Sequence, residues 1–170
     1  MPQLLDPKFS ILPAAQQEIW TSLAPALELN FVLYGGTAIA LHLGHRESLD
    51  FDFFRSEPLE KDRLRASFSF ARRATILQDM PDTLVVLAEL PSGLVKVSFF
   101  GGIGFGRVND PLLTRDGTLL AASLDDLMAV SQRKFCEPSG ISTMEISPRS
   151  TRSIRIFCDA REIKSRNYQM

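Results

Sequence analysis

This 170-residue chain has little cysteine, and its two residues, Cys136 and Cys158, form neither a disulfide framework nor a metal-ligand pattern. No stretch approaches the ~20 consecutive apolar residues that a membrane-spanning helix needs. The opening MPQLLDPKFS lacks the apolar segment of a signal peptide. These absences predict a cytoplasmic protein with reduced thiols and no membrane partner. An excess of charge of either sign is also lacking. The net charge is −1, so the bulk balance does not advertise nucleic acid, although Arg63, Arg65, Arg72 and Arg73 cluster, as do the arginines after Arg149. Internal repeats and low-complexity tracts are missing too. What is present, 45% hydrophobic and 23% charged residues, is the composition of one globular domain with a real core.

The chemistry concentrates between Phe31 and Phe54, FVLYGGTAIALHLGHRESLDFDFF. Phe31–Tyr34 reads as a short apolar strand. Gly35-Gly36 then breaks it where a backbone must turn tightly or approach a ligand. Thr37 is placed to cap the helix-prone run Ala38–Leu43. Leu49–Phe54 alternates, so Asp50 and Asp52 fall on one side of a strand and the apolar residues on the other. Two carboxylates side by side repel each other unless a cation neutralises them. Hard oxygen donors suit Mg2+ or Mn2+, ions that often hold substrate phosphates as well. A glycine turn opening a helix offers N–H groups to a phosphate. Together these are the parts needed for phosphoryl or nucleotidyl transfer. His42 and His45 lie three apart, but Gly44 is expected to end the helix between them. That spacing argues against a zinc pair and predicts His45 as a packing residue in the turn.

The ordered set Gly35, Gly36, Thr37, Gly44, His45, Arg46, Ser48, Asp50 and Asp52 resembles the nucleotidyltransferase toxins of the AbiEii/AbiGii type, within the polymerase-β-like superfamily. The resemblance covers roughly residues 10 to 130. It implies an α/β (α+β) fold with a short mixed β-sheet carrying the acids and helices packed on one face and at the ends. It also implies transfer of a nucleoside monophosphate from a triphosphate to an acceptor, with the 3′ end of tRNA the leading candidate and a cognate antitoxin as partner. Asp50 and Asp52 would be the catalytic metal ligands for Mg2+ (or Mn2+). Gly35, Gly36, Thr37, Arg46 and Lys96 would face the nucleotide phosphates. Thr37 either bonds a terminal phosphate or only caps its helix. Arg46 either pairs with Glu47 or an Asp, or contacts phosphate. Lys96 is either a phosphate contact or a solvated strand lysine. Sugar- or antibiotic-directed nucleotidyltransferases share the first motif and differ in acceptor.

One departure stands out. The strand Val95-Lys96-Val97-Ser98 matches a family pattern Lys-Val-Asp, in which the Asp is the third carboxylate. Ser98 occupies that position, and a hydroxyl is a poor base and a weak metal ligand. Glu89 on the neighbouring strand is a candidate replacement. The competing reading is therefore a catalytically degenerate nucleotide- or protein-binding remnant.

Elsewhere the pattern predicts a helix from Pro13 to about Leu29 with Ile19, Leu23, Leu27 and Leu29 inward. A helix from Glu57-Pro58 buries Leu59, Leu64 and Phe68. Strands Ala74–Leu77, Leu84–Leu90 and Leu94–Phe100 form an antiparallel meander. Gly101–Gly106 reads as a flexible connection, and Ser123 as the cap of a final helix with Asp126 in the capping-box position. The nucleotidyltransferase domain is thus expected over 1–130. Residues 131–170 read as a divergent or out-of-frame tail lacking the family's final Lys and Lys-Asp-x-x-Asp helix. Met144-Glu145-Ile146-Ser147-Pro148-Arg149, back-translated and read from the third codon position, permits Gly-Asp-Ile-Ala-Ala, a fragment of such a helix.

Overall fold

The computed structural model describes residues 3–104, 106–135, 143–145 and 153–155, with side chains described up to residue 130. Eight strands form one mixed sheet: β1 (Leu4–Leu5), β2 (Val32–Tyr34), β3 (Asp50–Phe54), β4 (Thr75–Met80), β5 (Thr83–Leu90), β6 (Gly93–Phe100), β7 (Leu112–Thr114) and β8 (Leu120–Ala121), in the order β1-β7-β8-β2-β3-β6-β5-β4. A separate ribbon pairs β9 (Thr143–Glu145) with β10 (Ser153–Arg155). The helices are α1 (Ala14–Ile19), α2 (Pro25–Glu28), α3 (Gly35–Leu43), α4 (Lys61–Ser67) and α5 (Leu124–Phe135). The expected α/β fold with a mixed sheet is what the chain adopts, although eight strands make the sheet wider than the short one anticipated.

Alternation decides which face is core. Phe51 and Phe53 of β3, Val95, Val97 and Phe99 of β6, and Leu84, Val86 and Ala88 of β5 lie in register on one side and are almost wholly buried. Phe99 gathers this core: its ring sits 5.3 Å from Phe31, 5.6 Å from Phe53 and 4.9 Å from Phe68. Such aromatic contacts contribute beyond the apolar area that they remove from water. The β4-β5-β6 meander forms as the turns at Pro81-Asp82 and Pro91-Ser92 dictate. Leu59, Leu64 and Phe68 are buried as anticipated, but α4 begins only at Lys61. Lys61 and Arg65 both reach Asp79 of β4, Arg65 at 2.9 Å, which ties α4 to the sheet edge.

The single helix expected from Pro13 to Leu29 is instead three pieces: α1, a 3-10 turn at Trp20–Leu23, and α2. Pro25 has no N–H to continue an α-helical ladder, so it starts a new helix at its N1 position. The broken path lets Trp20 bury its ring against Phe9 and donate its indole N–H to Asp116 at 2.7 Å. Burial alone would raise the Asp116 pKa, but hydrogen bonds from Thr114, Thr118 and Trp20 outweigh it and hold the carboxyl below its ordinary value. A depressed folded-state pKa stabilises the protein above the unfolded carboxylate value, and that stability is lost as pH falls through the folded value. Asp116→Ala should therefore lower stability at neutral pH by about 1 kcal/mol, with the difference shrinking in acid. Denaturant melts of both proteins at pH 7 and pH 3 measure it.

Two further expectations are corrected. The glycine-rich segment is not a loose connection at its start. Gly101 N–H donates to the Asp82 carbonyl, Gly102 N–H to Glu57 and Ile103 N–H to Arg55, and a Cβ on Gly101 would lie 2.7 Å from the Leu59 nitrogen. His45 is exposed rather than packed, because Gly44 ends α3 in the left-handed conformation (φ 63°) and turns the chain outward. The Ser123 cap forms, its hydroxyl accepting from the Asp126 N–H at 3.2 Å. Cys136, Cys158, residues 146–149 of the back-translated stretch and most of the arginine-rich tail lie outside the described residues. Among the described residues no helix is long and apolar enough to cross a membrane.

Candidate functional site

The face of the sheet opposite the core carries the chemistry. Asp50 and Asp52 project from β3 between the buried Phe51 and Phe53, as the alternation requires. β3 runs antiparallel to β2, placing Tyr34 across from Asp52, and parallel to β6, placing Lys96 across from Asp50 and Ser98 across from Asp52. Neighbouring strands lie ~4.8 Å apart, so these five side chains share one small patch.

The glycines fit the acids closely. Gly35 joins β2 to α3 at φ 73°, a left-handed conformation in which an L side chain is strained. A Cβ there would sit 2.7 Å from Asp52 Oδ2. At Gly36 a Cβ would meet Ser48 Oγ at 2.8 Å and Arg46 Nη2 at 3.3 Å. The Gly-Gly turn therefore lets the backbone lie directly against Asp52, Ser48 and Arg46. The N-cap of α3 is Tyr34, whose side chain makes no cap hydrogen bond.

Thr37 does not cap α3. It lies inside the helix, is wholly buried, and donates its hydroxyl to the main-chain oxygen of Asp50. The side chain thus staples the first turn of α3 to β3. Lys96 pairs with an acid of the motif: its Nζ lies 2.6 Å from Asp50 Oδ2, with both side chains 39% exposed. Ser98 is only 3% exposed. Glu89 is exposed and pairs with Leu94, four residues along β6 from Ser98 and hence about 13 Å away. It does not replace the missing carboxylate.

Two features escaped the sequence pattern. Tyr34 points toward Arg107 and toward Asp126 of α5. Burial first, and then the Asp126 charge, push its phenol up to about 12, so it stays protonated at any working pH. Arg55 follows the motif directly and is buried. It donates to the carbonyls of Leu29, Glu57 and Pro58 and lies over the Phe31 ring at 5.4 Å. It thereby fixes the C-terminal end of β3. No periodicity signals either role: Tyr34 meets segments distant in the chain, and Arg55 joins its own following turn to Leu29 and Phe31.

A mixed sheet bearing two acids on its exposed face, with a Gly-Gly turn opening a helix beside them, is consistent with a nucleotidyltransferase-type α+β fold. Residues 19–89 match the family model described as nucleotidyl transferase AbiEii toxin, type IV TA system. The match bears out the family resemblance over that segment, which holds Gly35 through Asp52 and ends before Lys96 and Ser98. The family so described comprises nucleotidyltransferase toxins of toxin–antitoxin systems, in which a toxin has a cognate antitoxin. No curated protein and no solved structure matches the chain.

Proposed function

We propose that this protein is a toxin-type nucleotidyltransferase that moves a nucleoside monophosphate from a triphosphate to an RNA hydroxyl, with the 3′ end of tRNA as acceptor. It would act in the cytoplasm and be restrained by a cognate antitoxin. The observation that carries this reading is the packing of Gly35 against Asp52, beside Asp50 on the same face of β3. The donor set fits one hard divalent ion, Mg2+ or Mn2+: two carboxylates, with the remaining positions open to water and phosphate. Asp50 and Asp52 would hold it, and when bound it would supply positive charge against the triphosphate.

The residues of the chain do the rest. The N–H groups at the start of α3 receive phosphate oxygens, favoured by the positive end of the helix. Arg46, against Gly36, stands where it can neutralise a second phosphate. Thr37 holds β3 and the phosphate turn in one rigid arrangement, which is what an in-line displacement needs. The acceptor oxygen then bonds to the α-phosphorus, the bond to pyrophosphate breaks, and the hydroxyl proton leaves to water. Ser98 is no base for that proton, and Asp50 is engaged by Lys96.

Ser98, buried opposite Asp52, favours a second reading: a remnant that binds nucleotide without transferring it. Incubation with Mg2+, total RNA and each of the four α-labelled triphosphates separates the two. The proposal predicts label in RNA from at least one triphosphate. Triphosphate binding with no label from any of the four would support the remnant.

A further inference from the structure

The ion pair between Lys96 and Asp50 bears on how many cations the site takes. An ion ligated by a carboxylate oxygen stands ~2.1 Å from it. Lys96 Nζ stands 2.6 Å from Asp50 Oδ2 and so crowds, with like charge, the position that an ion on that oxygen would take. The parallel register of β3 and β6 makes Lys96 the direct neighbour of Asp50. The same register puts the uncharged Ser98 beside Asp52. Asp50, Asp52, Lys96 and Ser98 thus carry a net charge of −1. Two divalent ions ~4 Å apart repel each other four times as strongly as two unit charges at that distance. A net charge of −1 offsets little of this.

We propose that Lys96 is a built-in cation that takes the place of a second metal, so that the site holds a single divalent ion, on Asp52 and the free oxygen of Asp50. This rests on the nucleotidyltransferase reading and sharpens it: Lys96 acts on Asp50 as a positioning residue, and the substrate is a triphosphate arriving with one ion. The arrangement also gives Ser98 a rationale, since a site with one ion has no second ion for a third carboxylate to hold.

Equilibrium dialysis with Mn2+, alone and with inorganic tripolyphosphate, tests the inference without relying on turnover. The wild type should hold one Mn2+ per chain. Lys96→Met should tighten binding of Mn2+ alone by about tenfold, and Lys96→Gln should do the same. Ser98→Asp, where a melt shows that it folds, should add a second ion. Two ions on the wild type, or unchanged affinity in both Lys96 variants, would overturn the single-ion proposal and leave the nucleotidyltransferase reading standing. No Mn2+ on any of these proteins, even with tripolyphosphate, would overturn both.

Discussion

Asp52→Asn should abolish nucleotide transfer while leaving the fold intact. The amide has the shape of the carboxylate, so Gly35 and β3 keep their contact. What is lost is the charge that holds a divalent ion against the triphosphate. Such an ion contributes several kcal/mol of transition-state stabilisation, so the rate should drop by about 10³-fold or more. Asp50→Ala should also remove transfer, and in addition leaves Lys96 without its 2.6 Å partner. Asp62→Asn, on the exposed side of α4, changes charge equally and should leave the rate unchanged. Initial rates of label transfer for the four proteins decide the matter. Transfer that persists in both Asp50→Ala and Asp52→Asn would mean that the acids are only the solvent face of a strand.

Gly35→Ala should damage stability and function together, through a single methyl group. At φ 73° an L residue is strained by about 1–2 kcal/mol before any contact is counted. The added Cβ would also stand 2.7 Å from Asp52 Oδ2, so either the carboxylate or the turn must move. Misplacing a reacting group by ~1 Å costs about 10²-fold in rate, and that is the loss expected here. Thermal melts and transfer rates should therefore both fall. Gly106→Ala is the matching control, because a Cβ there meets nothing within 4 Å. A Gly35→Ala protein with wild-type melting and transfer would show that the turn does not need its glycine.

Much of this was legible in the sequence because it rests on neighbours in the chain. The alternation of Leu49–Phe54 placed Asp50 and Asp52 on one face, and the structure keeps them there. The Pro81-Asp82 and Pro91-Ser92 turns forced consecutive strands into a meander. Gly44 ended its helix and Ser123 began another, as caps do. The errors arose where partners are far apart. Thr37 looked like a cap because it follows a glycine turn, but the backbone of β3, thirteen residues on, captured its hydroxyl. The Lys96–Asp50 pair depends on β3 and β6 lying side by side and parallel, which no local pattern encodes. The same adjacency fixed the fate of Glu89, because register, not alternation, sets its distance from Ser98. The helix predicted from Pro13 to Leu29 failed because the apolar spacing survives a break that Pro25 imposes on the backbone. His45 was misread because a left-handed glycine reverses the direction of the chain, and the residue after it faces solvent.

The arrangement also predicts that the motif tolerates little change. Gly35, Gly36, Thr37 and Asp52 are each held by contact with another part of the same motif. Gly35 faces Asp52, Gly36 faces Arg46 and Ser48, and Thr37 holds Asp50. A substitution at one displaces a second, so their effects should be strongly non-additive.

The most direct test is an anomalous-scattering map from crystals grown with Mn2+ and a non-hydrolysable triphosphate. The account predicts one Mn2+ peak between Asp50 and Asp52, with phosphate on the N–H groups of Gly35 to Thr37. A peak elsewhere, or triphosphate bound away from the Gly-Gly turn, would contradict it.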